Sequence, residues 1–294
     1  MGNIFKNIVW AGWNQVAKLA GRSYVAGSEL SEALEACRKF ANNGYTGTIC
    51  YWNADADEPR FVADQYLAAL DDLTQTELDC YLSIKTPALG FSHPLMAEII
   101  EKAKATRVRL HFDSHAPEQA DQTLDLLAAS LPRFSRLSLT LPGRWRRSLR
   151  DADWACKLGL TVRVVKGQWA DPDDPEIDMR EGFLNVIDRL AGRASHVAVA
   201  SHDAPLASEA LHRLRAAGTS CELELLFGLP LYESVRAALE AEVPVRIYIP
   251  YGDAWVPYCL SQIKKNPRML KWVVQSALFG RQLVLLDANR LSVK

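Results

Sequence analysis

The chain has 294 residues, 49% of them hydrophobic and 23% charged, with 34 basic against 35 acidic side chains. That composition describes a soluble globular protein with a large core and excludes a disordered, collagen-like or coiled-coil chain. The balanced charge gives no global argument for nucleic acid, and the one local basic stretch (Arg133, Arg136, Arg144, Arg146, Arg147 and Arg150) reads as a solvated surface.

In chain order, the opening segment MGNIFKNIVWAGWNQVAKLAG is amphipathic. It is too short and too interrupted by polar residues to span a membrane, and it lacks a secretory layout. Lys6 stands where a myristoylation signal beginning at Gly2 wants Ser or Thr. The expectation is a helical extension over residues 1–43, membrane contact that is at most peripheral, and a cytoplasmic protein. Six cysteines (Cys37, Cys50, Cys80, Cys156, Cys221, Cys259) are irregularly spaced with no CxxC, which fits a reducing compartment.

Eight runs rich in β-branched or apolar residues follow. They begin near Thr46 (TGTICY), Cys80 (CYLSIK), Val108 (VRLHFD), Arg136 (RLSLTL), Thr161 (TVRVVK), His196 (HVAVAS), Cys221 (CELELL) and Pro244 (PVRIYI), recurring every 23 to 35 residues. Helix-period stretches lie between them, among others over 31–41, 96–105, 117–130, 181–191, 205–217 and 231–241. Eight βα units predict an α/β fold of the (β/α)8 TIM-barrel class, a single domain over 1–294 with the barrel and a last helix over 44–280. Pro142, Gly143, Gly167, Pro172, Pro175, Gly228 and Gly252 fall after strands, where a barrel carries its functional loops.

Side chains alternate along a strand, so turning the apolar set of each run toward the helices turns the polar set toward the barrel axis. Ser83, Lys85, His111, Asp113, Ser138, Thr140, Arg163, Glu222, Glu224, Arg246 and Tyr248 then face inward. Barrel interiors are ordinarily filled by Val, Ile and Leu, because an unpaired buried charge costs several kcal/mol. These groups either neutralise one another as a closed ion network or surround a large polar ligand. Lys85, Asp113, Arg163 and Tyr248 lie near the C-terminal strand ends, where barrel active sites sit, which favours the ligand. His111, Asp113 and His115 form an H-x-D-x-H that could begin a metal site, with His202, Glu222 and Glu224 as further donors, but the expectation is no metal. No nucleophile elbow, P-loop or G-x-G-x-x-G is present.

The strand-end sequences carry a specific resemblance. RVVKGQW (163–169) is similar to the R-L-V-K-G-A-Y of proline dehydrogenases, and ASHD (200–203) to their A-T-H-N/D. In the same order, GRSYVAG (21–27) resembles the R-F-V-A-G of the single-domain bacterial enzymes, LSIKTPALG (82–90) their L-S-V-K-L-x-x-L-G, ELELLFG (222–228) their E-x-Q-x-L-x-G, and IYIPYGDAWVPY (247–258) their Y-V-P-Y-G-x-x-W-x-P-Y. The resemblance implies an FAD-dependent enzyme that takes a hydride from the carbon beside an amine nitrogen. It assigns Lys85, Asp113, Arg163 and Tyr248 to catalysis, with Arg163 near the flavin N5. It assigns Thr140, Arg163, Lys166, Gly167, Trp169, Ser201, His202 and Glu224 to the cofactor, and Lys85, Tyr248, Tyr258, Ser261 and Gln262 to the substrate pocket.

The pattern breaks on the last helix, where the family reads Y-x-x-R-R-x-x-E. Here Ser261 and Gln262 replace the two arginines that grip the substrate carboxylate, and Lys265 replaces the glutamate. Ser and Gln cannot rebuild a bidentate Arg–carboxylate clamp. The family's first-strand L-G-E is absent, the seventh-strand glutamine is Glu224, the histidine before its glycine is Phe227, and Thr140 stands for a glutamine on the fourth strand. The expected function is oxidation of a C–N bond in a proline-related or other cyclic or secondary amine other than free proline, free or carrier-bound, with a quinone or oxygen as acceptor. The alternatives are a non-catalytic barrel descendant that binds a ligand or partner, and a metal-dependent barrel hydrolase or isomerase.

Overall fold

The computed structural model describes residues 25–252. The helix α1 (Leu30–Ala41) precedes the barrel and packs on its first and last strands. Its N-terminus is closed by a capping box in which the Glu29 N–H donates to the Glu32 carboxylate at 3.0 Å. Then follow β1 (Thr46–Tyr51), α2 (Pro59–Thr74), β2 (Cys80–Ile84), α3 (His93–Thr106), β3 (Leu110–Phe112), α4 (Ala120–Ser130) and β4 (Leu137–Pro142). The second half is α5 (Arg147–Lys157), β5 (Thr161–Val165), α6 (Met179–Leu190), β6 (Val197–Ala200), α7 (Ala204–Ala216), β7 (Cys221–Leu226), α8 (Tyr232–Glu240) and β8 (Val245–Tyr251).

The strands run in chain order and all parallel, and β8 returns to β1 with Thr46 opposite Arg246 and Tyr51 opposite Tyr251. The sheet is therefore a closed barrel, as the eight-fold recurrence predicts. All eight strands fall on the predicted runs. Two helices, α2 and α5, lie outside the helix-period stretches named above. The buried face of α5 consists of Ser148, Asp151, Ala152 and Ala155, too small and polar to print an apolar period. Of the basic stretch, α5 carries Arg147 and Arg150, and Arg147 reaches Asp121 and Asp151 at 2.7 Å each.

The apolar core is the ring between the sheet's outer face and the helices, with Ile49, Leu82, Phe112, Val164, Leu225 and Ile249 all at most 1% exposed. The parity reading holds, and the barrel's inside is a polar column. At its N-terminal end Arg246 donates to Glu222 at 2.9 Å and to the Gly47 carbonyl at 2.5 Å. The guanidinium carbons of Arg109 and Arg246 lie 4.0 and 4.6 Å from the Tyr81 ring centroid. Midway, His111 bonds Ser138 at 2.8 Å and Thr140 at 2.7 Å. Buried charges are tolerated only when paired, and in this column Arg163 and Arg246 each face carboxylates. Tight packing holds the C-terminal rim: a Cβ on Gly143 would fall 2.5 Å from the Phe183 backbone, so only glycine lets the β4–α5 loop rest on α6.

Candidate active site

The C-terminal mouth of the barrel holds a cavity of about 570 Å³. Its floor is the last inward tier of the strands, Asp113, Arg163, Glu224 and Tyr248, and its rim carries Trp52, Lys85, His115, Gly167, Trp169 and Ser201. Of the residues that the resemblance assigns within the described part, only Lys166 lies outside the cavity wall. Tyr258, Ser261 and Gln262, and the Lys265 position, lie outside the described residues.

Arg163 is the centre of the floor. Its Nε and Nη2 donate to the two oxygens of Glu224 at 2.7 Å each, Nη1 donates to Asp113 at 2.7 Å, and Nη2 also donates to the Tyr81 hydroxyl at 3.2 Å. Burial works against its charge, but the facing Glu224, Tyr81 and Asp113 outweigh burial and push its pKa further up. Glu224 is held from the other side by the hydroxyls of Thr48 and Tyr81, donating at 2.7 and 3.1 Å. Tyr248 donates its hydroxyl to Asp113 at 2.8 Å and carries its ring under Arg163, with 5.0 Å from guanidinium carbon to ring centroid. Burial, then the Asp113 charge, raises the Tyr248 phenol well above its ordinary range, so it stays a donor. Arg163 thus bridges to Glu224 and not to Glu222, and Asp113 pairs with Arg163 and not with Lys85.

Lys85 instead extends over Trp52, its ammonium 5.2 Å from the ring centroid. Its backbone N–H donates to the buried Tyr66 hydroxyl at 3.0 Å, which fixes the strand end. Among the described residues no carboxylate lies within ion-pair distance of its ammonium.

The histidines separate into different roles. His111 is sealed in the column, with burial first and the Arg163 charge second driving its pKa well down, so it is neutral. His115 packs beside Trp169 with 6.1 Å between ring centroids, and its buried Nε2 has no partner among the described residues. Burial, then Lys85, lowers its pKa to about 4. His202 accepts the Leu226 N–H on Nε2 at 2.8 Å and bonds the Pro230 carbonyl through Nδ1 at 3.1 Å, so both nitrogens tie the β7 end to its loop. Burial lowers it to about 4. Within the H-x-D-x-H, His111 Nε2 lies 3.7 Å from Asp113, but no group of three or more metal-competent side chains gathers among the described residues. Lys166 binds Asp203 at 3.0 Å; Asp203 also pairs with Arg180 and caps α7 through the Leu206 N–H.

Thr48, Tyr81, Trp52 and Tyr66 are site residues that sequence reasoning missed. The first two were accessible by parity, since Tyr81 shares the inward face with Ser83 and Lys85, and Thr48 alternates with the outward Ile49. Trp52 follows a strand end, and Tyr66 acts from a helix face, which no spacing announces.

No family model matches the chain. It is 25% identical to proline dehydrogenase 1 of Bacillus subtilis subsp. natto over 281 residues, covering 89% of this chain and 91% of that one. It is 25% identical to proline dehydrogenase of Deinococcus radiodurans over 290 residues, covering 91% of each. It is 23% identical to a Bos taurus hydroxyproline dehydrogenase over 242 residues, 69% of this chain and 52% of the relative. Among solved structures, proline utilization A (PutA) from Bdellovibrio bacteriovorus superposes with a TM-score of 0.71 at 16% identity, and that from Corynebacterium freiburgense with 0.67 at 15%. These cover 100% and 95% of this chain, which spans about a third of their length (36% and 35%), and they share its fold. Over about nine-tenths of its length the chain is thus similar to proline dehydrogenases, and it shares its barrel fold with the PutA structures.

Proposed function

We propose that the chain is an FAD-dependent oxidoreductase of proline-dehydrogenase type that oxidises the C–N bond of a proline-related or other cyclic or secondary amine, free proline being a poor substrate. The observation that carries this is the convergence of Lys85, Asp113, Arg163 and Tyr248 on one cavity of about 570 Å³ at the C-terminal strand ends, within the size range of ligand sites. A flavin fits the residues present. Gly167, on the cavity wall, has φ of +97°, and a Cβ there would come within 2.9 Å of Pro142 and Arg144, so only glycine fits and this stretch of wall is backbone without a side chain. Trp52, Trp169 and Tyr248 supply aromatic walls.

When bound, the flavin supplies the hydride acceptor. The chain's own groups do the rest. Arg163 lines the cavity and keeps one Nη1–H beyond its bonds to Glu224, Tyr81 and Asp113. Asp113, held by Arg163 and Tyr248, gives an oriented carboxylate against a substrate nitrogen, and Lys85 places a cation at the rim for an anionic or carbonyl group of the substrate. The unfitness of free proline rests on Ser261 and Gln262 at the clamp positions of the family motif. The five described cysteines are free thiols, which supports a reducing compartment, and no helix among the described residues is long and apolar enough to cross a membrane. The electron acceptor is a quinone or oxygen.

The test is the visible spectrum of the purified chain after incubation with FAD, then anaerobic bleaching by proline, proline esters and amides, and cyclic amines without a carboxylate. Bleaching by the latter with little by proline is the expected result. Strong bleaching by proline refutes the substrate reading, and a protein that takes up no FAD refutes the flavoenzyme. One observation favours the second reading, a non-catalytic ligand binder: Arg163 spends most of its donors inside the protein. A flavin that binds but is bleached by no amine would select it.

A further inference from the structure

A guanidinium has five N–H groups in a rigid fork. Glu224 takes two of those on Arg163, Tyr81 one and Asp113 one, leaving one on Nη1. The Glu224 side chain is 2% exposed, and the Thr48 and Tyr81 hydroxyls fix its two oxygens, so the pair cannot rotate apart without orphaning four groups. Counting charge, Arg163 is faced by two carboxylates, Glu224 and Asp113, both 2.7 Å away. The floor of the cavity therefore carries one net negative charge, and the cation of Lys85 stands apart at the rim over Trp52.

We infer that Glu224 is a positioning and charge-setting residue: it orients the Arg163 guanidinium edge-on to the cavity and cancels its charge, so that a flavin bound there is harder to reduce than free FAD. The inference rests on the flavin reading above. Hydride arrival adds negative charge to the ring, and a cation beside it stabilises that charge only to the extent that it is not already compensated. A low potential in turn restricts the enzyme to electron-rich amines that give up hydride readily. At an effective dielectric of about 20, one unit charge a few ångströms from a redox ring changes an equilibrium constant about tenfold or more.

The experiment compares FAD-loaded wild type with Glu224→Gln, which keeps the shape and removes the charge. Two quantities are read: the two-electron midpoint potential, and the dissociation constant of sulfite, whose lone pair forms a bond to flavin N5 while the negative charge enters the ring. Expected are a wild-type midpoint below that of free FAD, and in E224Q a sulfite affinity about tenfold tighter with a midpoint about 30 mV higher. Equal potentials and sulfite constants in the two proteins overturn the inference while leaving the flavoenzyme intact; absence of FAD uptake by wild type removes both, and is scored first by spectral titration. If E224Q does not fold, the wild type alone decides: a midpoint above free FAD, or tight sulfite binding, refutes the role of Glu224.

Discussion

Replacing Arg163 by Met tests whether the inward charges form one energetic unit. The substitution keeps an unbranched side chain but deletes the bonds to Glu224, Asp113 and Tyr81. It strands two carboxylates whose side chains are 2% and 14% exposed. Glu224 keeps only the Thr48 and Tyr81 hydroxyls, and Asp113 the Tyr248 hydroxyl and the Cys50 thiol. Removing one partner of a buried pair costs about 3–5 kcal/mol, because the other charge stays buried and uncompensated. Removing Glu224 as well, in R163M/E224M, relieves the share of the penalty that Glu224 carries, while Asp113 stays without Arg163 and two hydroxyls are left unsatisfied at about 1 kcal/mol each, so the double mutant should lose at least about 2 kcal/mol less than the sum of the single mutants. Urea unfolding at neutral pH, followed by tryptophan fluorescence and circular dichroism, measures it. Acidification should narrow the gap between R163M and wild type, since protonation of the stranded carboxylates removes the mutant's penalty. An R163M protein within about 1 kcal/mol of wild type, or a double mutant that is simply additive, would falsify the reasoning.

Stability should fall on acidification in two stages. His115 and His202 have folded pKa values of about 4 against an ordinary 6.5, so the unfolded chain binds more protons through that window; their contribution is complete above pH 6.5 and lost toward pH 4, about 3 kcal/mol for each. Burial pushes Glu222 up, but bonds from His196 and Arg246 outweigh it and bring the carboxyl from 4.5 to about 2, so its share is present above pH 4.5 and disappears as pH falls toward 2. Urea midpoints that stay constant between pH 7.5 and 4 contradict this. Gly167→Ala should destabilise by about 1–3 kcal/mol through its positive φ and crowding against Pro142 and Arg144, and weaken FAD binding; an alanine variant as stable as wild type by thermal denaturation would refute the cradle. Tyr66→Phe removes the acceptor for the Lys85 N–H and should cost about 1–3 kcal/mol, which chemical denaturation measures; a loss under about 0.5 kcal/mol means the strand end does not depend on that bond.

Much of this was written in the chain. Alternation alone put Arg163, Glu224, Asp113 and Tyr248 on the inward face, and the recurrence of βα units closed the barrel, because period and parity are local properties of a backbone. Partner choice is not local. Glu222 and Glu224 face inward from the same strand about two residue rises, or about 6.6 Å, apart, and the sequence treats them alike. The stagger of neighbouring strands separates them: Arg163 pairs in register with Ala198, Ala198 with Glu222, and Ala200 with Glu224, so the side chain of Arg163 reaches up one tier to Glu224 while Glu222 is left to Arg246 below. By the same geometry Lys85 finds Trp52 rather than Asp113, and His111 is sealed in the column while His115 turns out to Trp169. The sequence determined which residues enter the barrel; shear, rotamer and burial, which exist only once all eight strands close, decided which charges cancel and which one remains at the rim.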